Sequence, residues 1–556
     1  MWLVQVLLVW WSVQTTLATE EVLLDIPQGT LRGLRTKTNW HDVPYYSFKG
    51  IPYAKPNVGI NKFQDPQPAE PWTGVHDATK HGSSCMSYCL IKQMVVGDED
   101  CLFLNVYTPD LNKDAKRAVI VWIYGGVFTR GSADDLLYGP DFLVEHDVVL
   151  VTLNFRLGVL GFLNTGDKVA PGNAGLKDQV MALKWVRDNI VHFGGCAHRV
   201  TIAGQGAGGA SVMYHLLSPM SEGLFKGAIL QSGSAVNPWT LSHTPREDVF
   251  RLANALGIEA TDSTELLSKL VEVPSTDIVL ACQGLLDPKK TSNGKIFPFV
   301  PSVEPDVGQD VFLPDDPWQI LKSGKIADVP LIGGMVLNEG KIFTSRLSRY
   351  TDYVNQHFEE FIPWPLNITD PARIKEVSES LRNFYLNGKD ISTDNDNGFD
   401  QLVTDMGFTH GIIFPLKIIS YRNTYPVYEY IFTFESPYNL MRTLFNVSGD
   451  TGATYGDELS FEFYTNIGMN IPEPGSVQDK MTNILTKLWT NFAKDGNPTS
   501  KLDDDVTVNW EPLGKEDNYL NINPKLEMEK DLWKDRIYFG ANLYKDILGD
   551  YYTLFQ

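Results

Sequence analysis

Two unbroken apolar runs, Ala118-Val-Ile-Val-Trp-Ile123 and Asp147-Val-Val-Leu-Val-Thr-Leu153, are bounded by Gly or Asn. That pattern predicts central strands buried on both faces. Between Gly175 and Phe193 the spacing changes, and Leu176, Val180, Leu183, Trp185 and Ile190 recur with the period of a helix that stops at Gly194-Gly195. A further strand, Val200 to Ala203, runs into a glycine-flanked turn and a small-residue helix, followed by strands at Gly227 to Leu230, Val329 to Gly333 and Val427 to Phe434. Val22 to Leu34 alternates around Pro27-Gln-Gly29 as an amino-terminal hairpin would. Strands alternating with helices imply an α/β fold with a large, mostly parallel sheet covered by helices on both faces. The Pro- and Asn-rich stretches 284–318 and 386–400 read as surface insertions.

Composition narrows the function classes. The 556 residues, 43% of them hydrophobic, suffice for a large core, and a net charge of −21 disfavours nucleic acid and anionic membrane as partners. The first residues, Trp2 to Trp11, are a short apolar run followed by Thr16-Leu17-Ala18, which suits a signal peptide over 1–18 and a secreted, extracellular chain. No later segment has eighteen uninterrupted apolar residues, so no membrane span is expected. In an oxidising compartment Cys85 and Cys101 can pair, with Cys89 as a competitor and Cys196 and Cys282 leaving an odd thiol. Asn367-Ile-Thr and Asn446-Val-Ser are glycosylation acceptors, whereas Asn497-Pro-Thr is blocked by its proline.

Four motifs then carry a resemblance. Ser47 to Ala54 (SFKGIPYA), Glu99 to Tyr107 (EDCLFLNVY), Asn154 to Phe162 (NFRLGVLGF) and Gly172 to Gln179 (GNAGLKDQ) follow one another as in type-B carboxylesterases of the cholinesterase-like family, in the style of insect secreted esterases. The resemblance covers roughly residues 22–540, so it implies an α/β-hydrolase fold, one carboxylesterase-like domain over 19–556, and a Cys85–Cys101 disulfide. Neither a metal nor a cofactor is called for.

Ester hydrolysis on this fold needs a hydroxyl nucleophile, an imidazole, a carboxylate and backbone N–H groups aimed at the oxyanion. The nucleophile's place in the resembling motif, Gly204-Gln205-Gly206-Ala207-Gly208, is held by Gly206, and the histidine's place by Tyr455 in Tyr455-Gly-Asp-Glu-Leu459. The acid survives as Glu339, whose expected partner is Tyr455 or Ser232. Ser211 lies off the elbow tip, and His410, the last histidine of the chain, reads as a loop or helix-edge residue. Gly126, Val127 and Ala207 match the oxyanion-hole positions, and a β-branched Val127 is expected to shift the loop or crowd the pocket. Losing triad members costs about 10^6 in kcat, so the expectation is a pseudoenzyme and not a hydrolase. Binding is then the expected role. One form is a small hydrophobic ligand or ester held in the family's gorge by Trp239, Phe128 and Tyr455; the other is an extracellular protein partner. The alternative is a weakly active or unconventional carboxylic-ester hydrolase.

Overall fold

The computed structural model describes residues 20–90, 92–286, 297–347, 350–392, 396–445, 447, 452–466 and 471–556. The leader and the Asn446 acceptor lie outside the described residues. Thirteen strands form one sheet: β1 (Glu20–Ile26), β2 (Gly29–Lys37), β3 (Pro44–Pro52), β4 (Val75–Asp77), β5 (Phe103–Thr108), β6 (Arg117–Ile123), β7 (Val149–Leu153), β8 (Gly195–Gln205), β9 (Gly227–Gln231), β10 (Leu331–Val336), β11 (Val427–Phe432), β12 (Asn518–Ile522) and β13 (Glu527–Lys530). Their spatial order is β1-β2-β3-β5-β7-β6-β8-β9-β10-β11-β12-β13, with β4 beside β2. From β7 through β12 every neighbouring pair is parallel. The path β1-β2-β3-β5-β7 is antiparallel, beginning with the expected hairpin in which Ile26 faces Gly29, and β4 lies parallel to β2.

The parallel strands are buried end to end because their sequences are apolar on both faces: β6 is Arg-Ala-Val-Ile-Val-Trp-Ile and β7 is Val-Leu-Val-Thr-Leu. Helices α1 (Ala174–Asn189), α2 (Ala207–Leu217), α3 (Pro317–Ser323), α4 (Pro371–Leu386), α5 (Asp396–Thr404), α6 (His410–Arg422) and α7 (Val477–Asp495) connect and cover them. Their ends follow local chemistry. Ser476 caps α7 by accepting the Asp479 N–H, and Gly496 ends it in a left-handed turn. Arg156, within one of the sequence motifs, is locked to Asp178 on α1 by Nε–Oδ2 and Nη2–Oδ1 bonds of 2.8 and 2.6 Å. Both side chains are buried, and the guanidinium also donates to the carbonyls of Lys62 and Gln64. One pair thus ties three chain segments together below the sheet's carboxyl edge.

Three sequence readings need correction. The stretch 284–318 is not simply a surface insertion, since Phe299, Val300, Phe312 and Leu313 are core residues and buried Glu304 accepts from Asn173 at 2.8 Å. The stretch 386–400 likewise contributes Leu386, Ile391 and Phe399 to a second, smaller core with Val377 and Leu381 of α4. His410 is neither loop nor edge. It begins α6 after a π-turn at Asp405–Thr409, is fully buried, and stacks on Phe414 at 5.1 Å. The continuous helical stretch Asp396–Arg422 is apolar enough by length and composition to cross a membrane, with mean hydropathy 1.3, yet 83% of that window is buried inside the protein.

Candidate active site

The turn between β8 and α2 sits at the carboxyl edge of the central strands. Gly206 occupies its tip with φ +59° and ψ −118°, a conformation that side chains rarely adopt and glycine tolerates. Two residues on, a Cβ at Gly208 would lie 1.9 Å from the Ile123 carbonyl, so only glycine lets α2 start this close to β6. A strained tip with a helix behind it is the geometry that presents a nucleophile on such a sheet. In this chain the tip carries no side chain, and the space beyond it is filled from the other side. A Cβ built on Gly206 would fall 1.9 Å from the Tyr455 hydroxyl.

Tyr455 is buried. Burial, then the negative field of Glu339, pushes the phenol far above its ordinary value, so it stays protonated at neutral pH. Glu339 follows β10 and is fully buried; its Oε1 accepts the Val336 N–H at 3.0 Å. Glu339 Oε2 has no hydrogen-bond partner among the described residues. Burial pushes this carboxyl up to about 8, with Asp457 raising it further against the Ser232 and Val336 hydrogen bonds. Buried Asp457 and Glu458 stand beside it, with buried Glu462 next to Glu458, and burial raises all three. Glu462 accepts from Gln231 at 2.5 Å, and Ser232 donates weakly to Glu458 at 3.5 Å.

The loop after β6 keeps a tight turn, with the Gly126 carbonyl accepting from the Thr129 and Arg130 amides at 3.0 and 3.2 Å. Val127 and Phe128 both have left-handed φ, +52° and +60°. Val127 is thus held in a region that β-branched residues avoid. Ala207 begins α2, where helix geometry leaves the first amides without intrahelical acceptors.

With this geometry the relatives of the chain can be placed. A family model described as the carboxylesterase family matches residues 20–539. The chain belongs to the carboxylesterase family. It is 36% identical over 484 residues to esterase FE4 of Myzus persicae, covering 84% of this chain and 83% of that one. Venom carboxylesterase-6 of Apis mellifera is 34% identical over 532 residues, 91% and 92% of the two chains. The crystal structure of juvenile hormone esterase from Manduca sexta, with OTFP covalently attached, superposes with a TM-score of 0.85 at 31% identity, covering 95% of this chain and all of that one. The sheet is accordingly that of an α/β-hydrolase.

Within this carboxylesterase-family chain the three gorge candidates do not form one wall. Tyr455 and Trp239 both pack on Phe408, at 5.5 and 5.8 Å between ring centroids, and Phe343 joins them. Phe128 instead packs on Phe162 and Tyr214. All three candidates are buried. The Cys85–Cys101 disulfide is formed, and Cys89, Cys196 and Cys282 are free thiols. Asn367 is exposed in a left-handed turn, as a glycan acceptor must be. Sequence reasoning missed one Ser–His contact: Ser221 Oγ lies 2.7 Å from His215 Nδ1, whose Nε2 meets Gln179 Oε1 at 2.9 Å. All three side chains are sealed, and burial pushes His215 down to about 3, so the trio braces α2 without access to substrate. Ser211 donates to the Ala207 carbonyl at 2.9 Å and is likewise spent.

Proposed function

We propose that this protein is a secreted, non-hydrolytic member of the carboxylesterase family that acts by binding a small hydrophobic molecule. The observation that carries the reading is the Tyr455 hydroxyl, seated where the first side-chain atom of a nucleophile at position 206 would stand. The elbow lacks the groups that ester hydrolysis would need: position 206 has no hydroxyl to activate, the phenol at 455 holds its proton and is no base at neutral pH, and burial keeps the Glu339 carboxyl protonated over much of that range. Secretion is supported by the apolar leader, the disulfide, the exposed acceptor at Asn367, and a relative named for venom. A binding role is what a carboxylesterase scaffold retains when its reaction centre is packed shut. An extracellular protein partner is the other form that such a role can take.

Turnover of 4-nitrophenyl acetate and labelling by a fluorophosphonate probe test the reading together. The expected rate is roughly one turnover per day, a typical kcat lowered by about 10^6, with no covalent label. Stoichiometric labelling, or turnover of about one per second, would overturn the proposal in favour of an unconventional ester hydrolase.

A further inference from the structure

We propose that this chain carries a site for a primary ammonium group on a short aliphatic stem, in a cavity of about 90 Å³ lined by Glu429, Lys417 and Asp517 and by the apolar side chains of Leu532, Ile537 and Phe555. The first sign is a misfit in the sequence. Strand β11 is Val-Tyr-Glu-Tyr-Ile-Phe with all six residues buried, and Glu429 stands within it between Gly333 of β10 and Tyr519 of β12. A carboxyl in such a place is costly unless something pairs with it. Glu429 is 2% exposed, and its carboxyl makes neither a hydrogen bond nor an ion pair among the described residues. Its oxygens are nevertheless not among the orphaned polar atoms sealed in the interior, so the small surface that Glu429 keeps opens on the cavity it lines. The elbow lies elsewhere, since neither Gly206, Tyr455 nor Glu339 belongs to this lining.

The other charges of the lining are already matched. Lys417 of α6 is held by Asp517 at 2.9 Å and lies 4.8 Å from the Phe555 ring centroid, while Lys534 stands 3.7 Å from Asp531. Glu429 is left without a counter-ion, and a cation supplies one. An anion would meet that carboxyl on a chain of net charge −21. A metal ion needs several converging ligands, and no group of three or more His, Cys, Asp and Glu side chains among the described residues is placed to hold one. A primary ammonium brings three N–H donors on a compact head, enough for both Glu429 oxygens and one further acceptor. Size fits the same class: an apolar cavity of about 150 Å³ holds benzene, so this one holds about four heavy atoms, with Leu532, Ile537 and Phe555 beside the stem. The cation competes with a proton. Burial pushes the Glu429 carboxyl up to about 8, against Lys417 and with Asp517, and Tyr519, Asp531 and Lys534 are the remaining titratable groups around it. Binding therefore tightens as pH rises through about 8.

The probes are n-propylammonium and Nα-acetyl-lysine N-methylamide, with 1-propanol as the uncharged analogue, titrated into the full chain and read by saturation-transfer NMR. Wild type should bind both ammonium probes saturably at pH 8.5, and about 5- to 10-fold more weakly at pH 7, whereas 1-propanol should show no saturation. Glu429→Gln keeps the shape and removes the charge, so affinity for both should fall about tenfold or more and lose its pH dependence. Leu554→Trp, on the half-buried wall, should fill the cavity and abolish binding; it serves as the test if Glu429→Gln does not fold. Tighter binding of propylammonium identifies the occupant as a free small amine, and tighter binding of the lysine derivative identifies it as a lysine side chain of a protein; either supports the site. No saturable binding by wild type at pH 8.5, unchanged affinity in Glu429→Gln, or equal binding of 1-propanol would each overturn it.

Discussion

Gly206 and Tyr455 behave as one packing unit although 249 positions separate them in the chain, and their interdependence is measurable. Gly206→Ser should destabilise the protein, because a side chain at φ +59° is strained and its Cβ meets the tyrosine hydroxyl. Tyr455→His removes that obstacle, so the double variant should be more stable than the sum of the singles predicts, by about 1–3 kcal/mol in a chemical-denaturation cycle. Additive singles would mean that the two side chains do not compete for the same space. The same double variant, with Val127→Gly added, supplies together a hydroxyl, an imidazole and a more flexible loop after β6, the changes that the proposed reading requires for hydrolysis. Turnover of 4-nitrophenyl acetate should rise only when the changes are combined, since such groups act as a unit. Val127→Gly by itself should raise Tm, relieving a φ of +52° worth about 1 kcal/mol; a fall would show that the valine side chain contributes more than its backbone costs. The identities at 206 and 455 were legible in the sequence. Their contact was not, because it depends on where two distant loops meet.

At the scale of elements, the apolar runs were sufficient to locate β6 to β9 and α1, since residues buried on both faces leave no alternative to a central strand. The stretches 284–318 and 386–400 were misread because turn-rich composition reports the local backbone, whereas Phe299, Phe312 and Phe399 are buried by elements far away in the chain. His410 was misread for a related reason. A π-turn rotates the face of α6 relative to α5, and no periodicity in the sequence announces it. The motifs used for the resemblance acquire a physical role here, as Arg156 and Asp178 form a buried bidentate pair bracing α1 against the segment after β7. Arg156→Met should therefore cost about 3–5 kcal/mol by leaving Asp178 charged and alone in the interior. The measurement is the urea midpoint; a shift equivalent to less than about 1 kcal/mol would show that water reaches the carboxylate.

For the molecule as a whole, the buried acids set the dependence of stability on pH. Glu339, Glu429 and Glu462 are each pushed up to about 8, in every case mainly by burial. A carboxyl raised above its unfolded value of about 4.5 binds its proton more tightly when folded, so its contribution is full below pH 4.5 and lost as pH rises through about 8. Buried His146 and His215 act in the opposite sense, pushed down to about 4 and about 3, but their effect is complete once pH exceeds about 6.5. Unfolding free energy should therefore fall between pH 6.5 and 8.5, by up to about 1.4 kcal/mol per pH unit for each acid. A flat or rising profile over that interval would mean that these carboxyls are ionised in the folded state. The fit between Gly206 and Tyr455 has a further consequence, in heredity. A lineage carrying both residues cannot place a serine at 206 without first colliding with the tyrosine, nor a histidine at 455 without first opening a void, and proteins near their stability threshold tolerate few such steps. Selection for nothing more than a well-packed interior then works as a ratchet that holds both positions as they are.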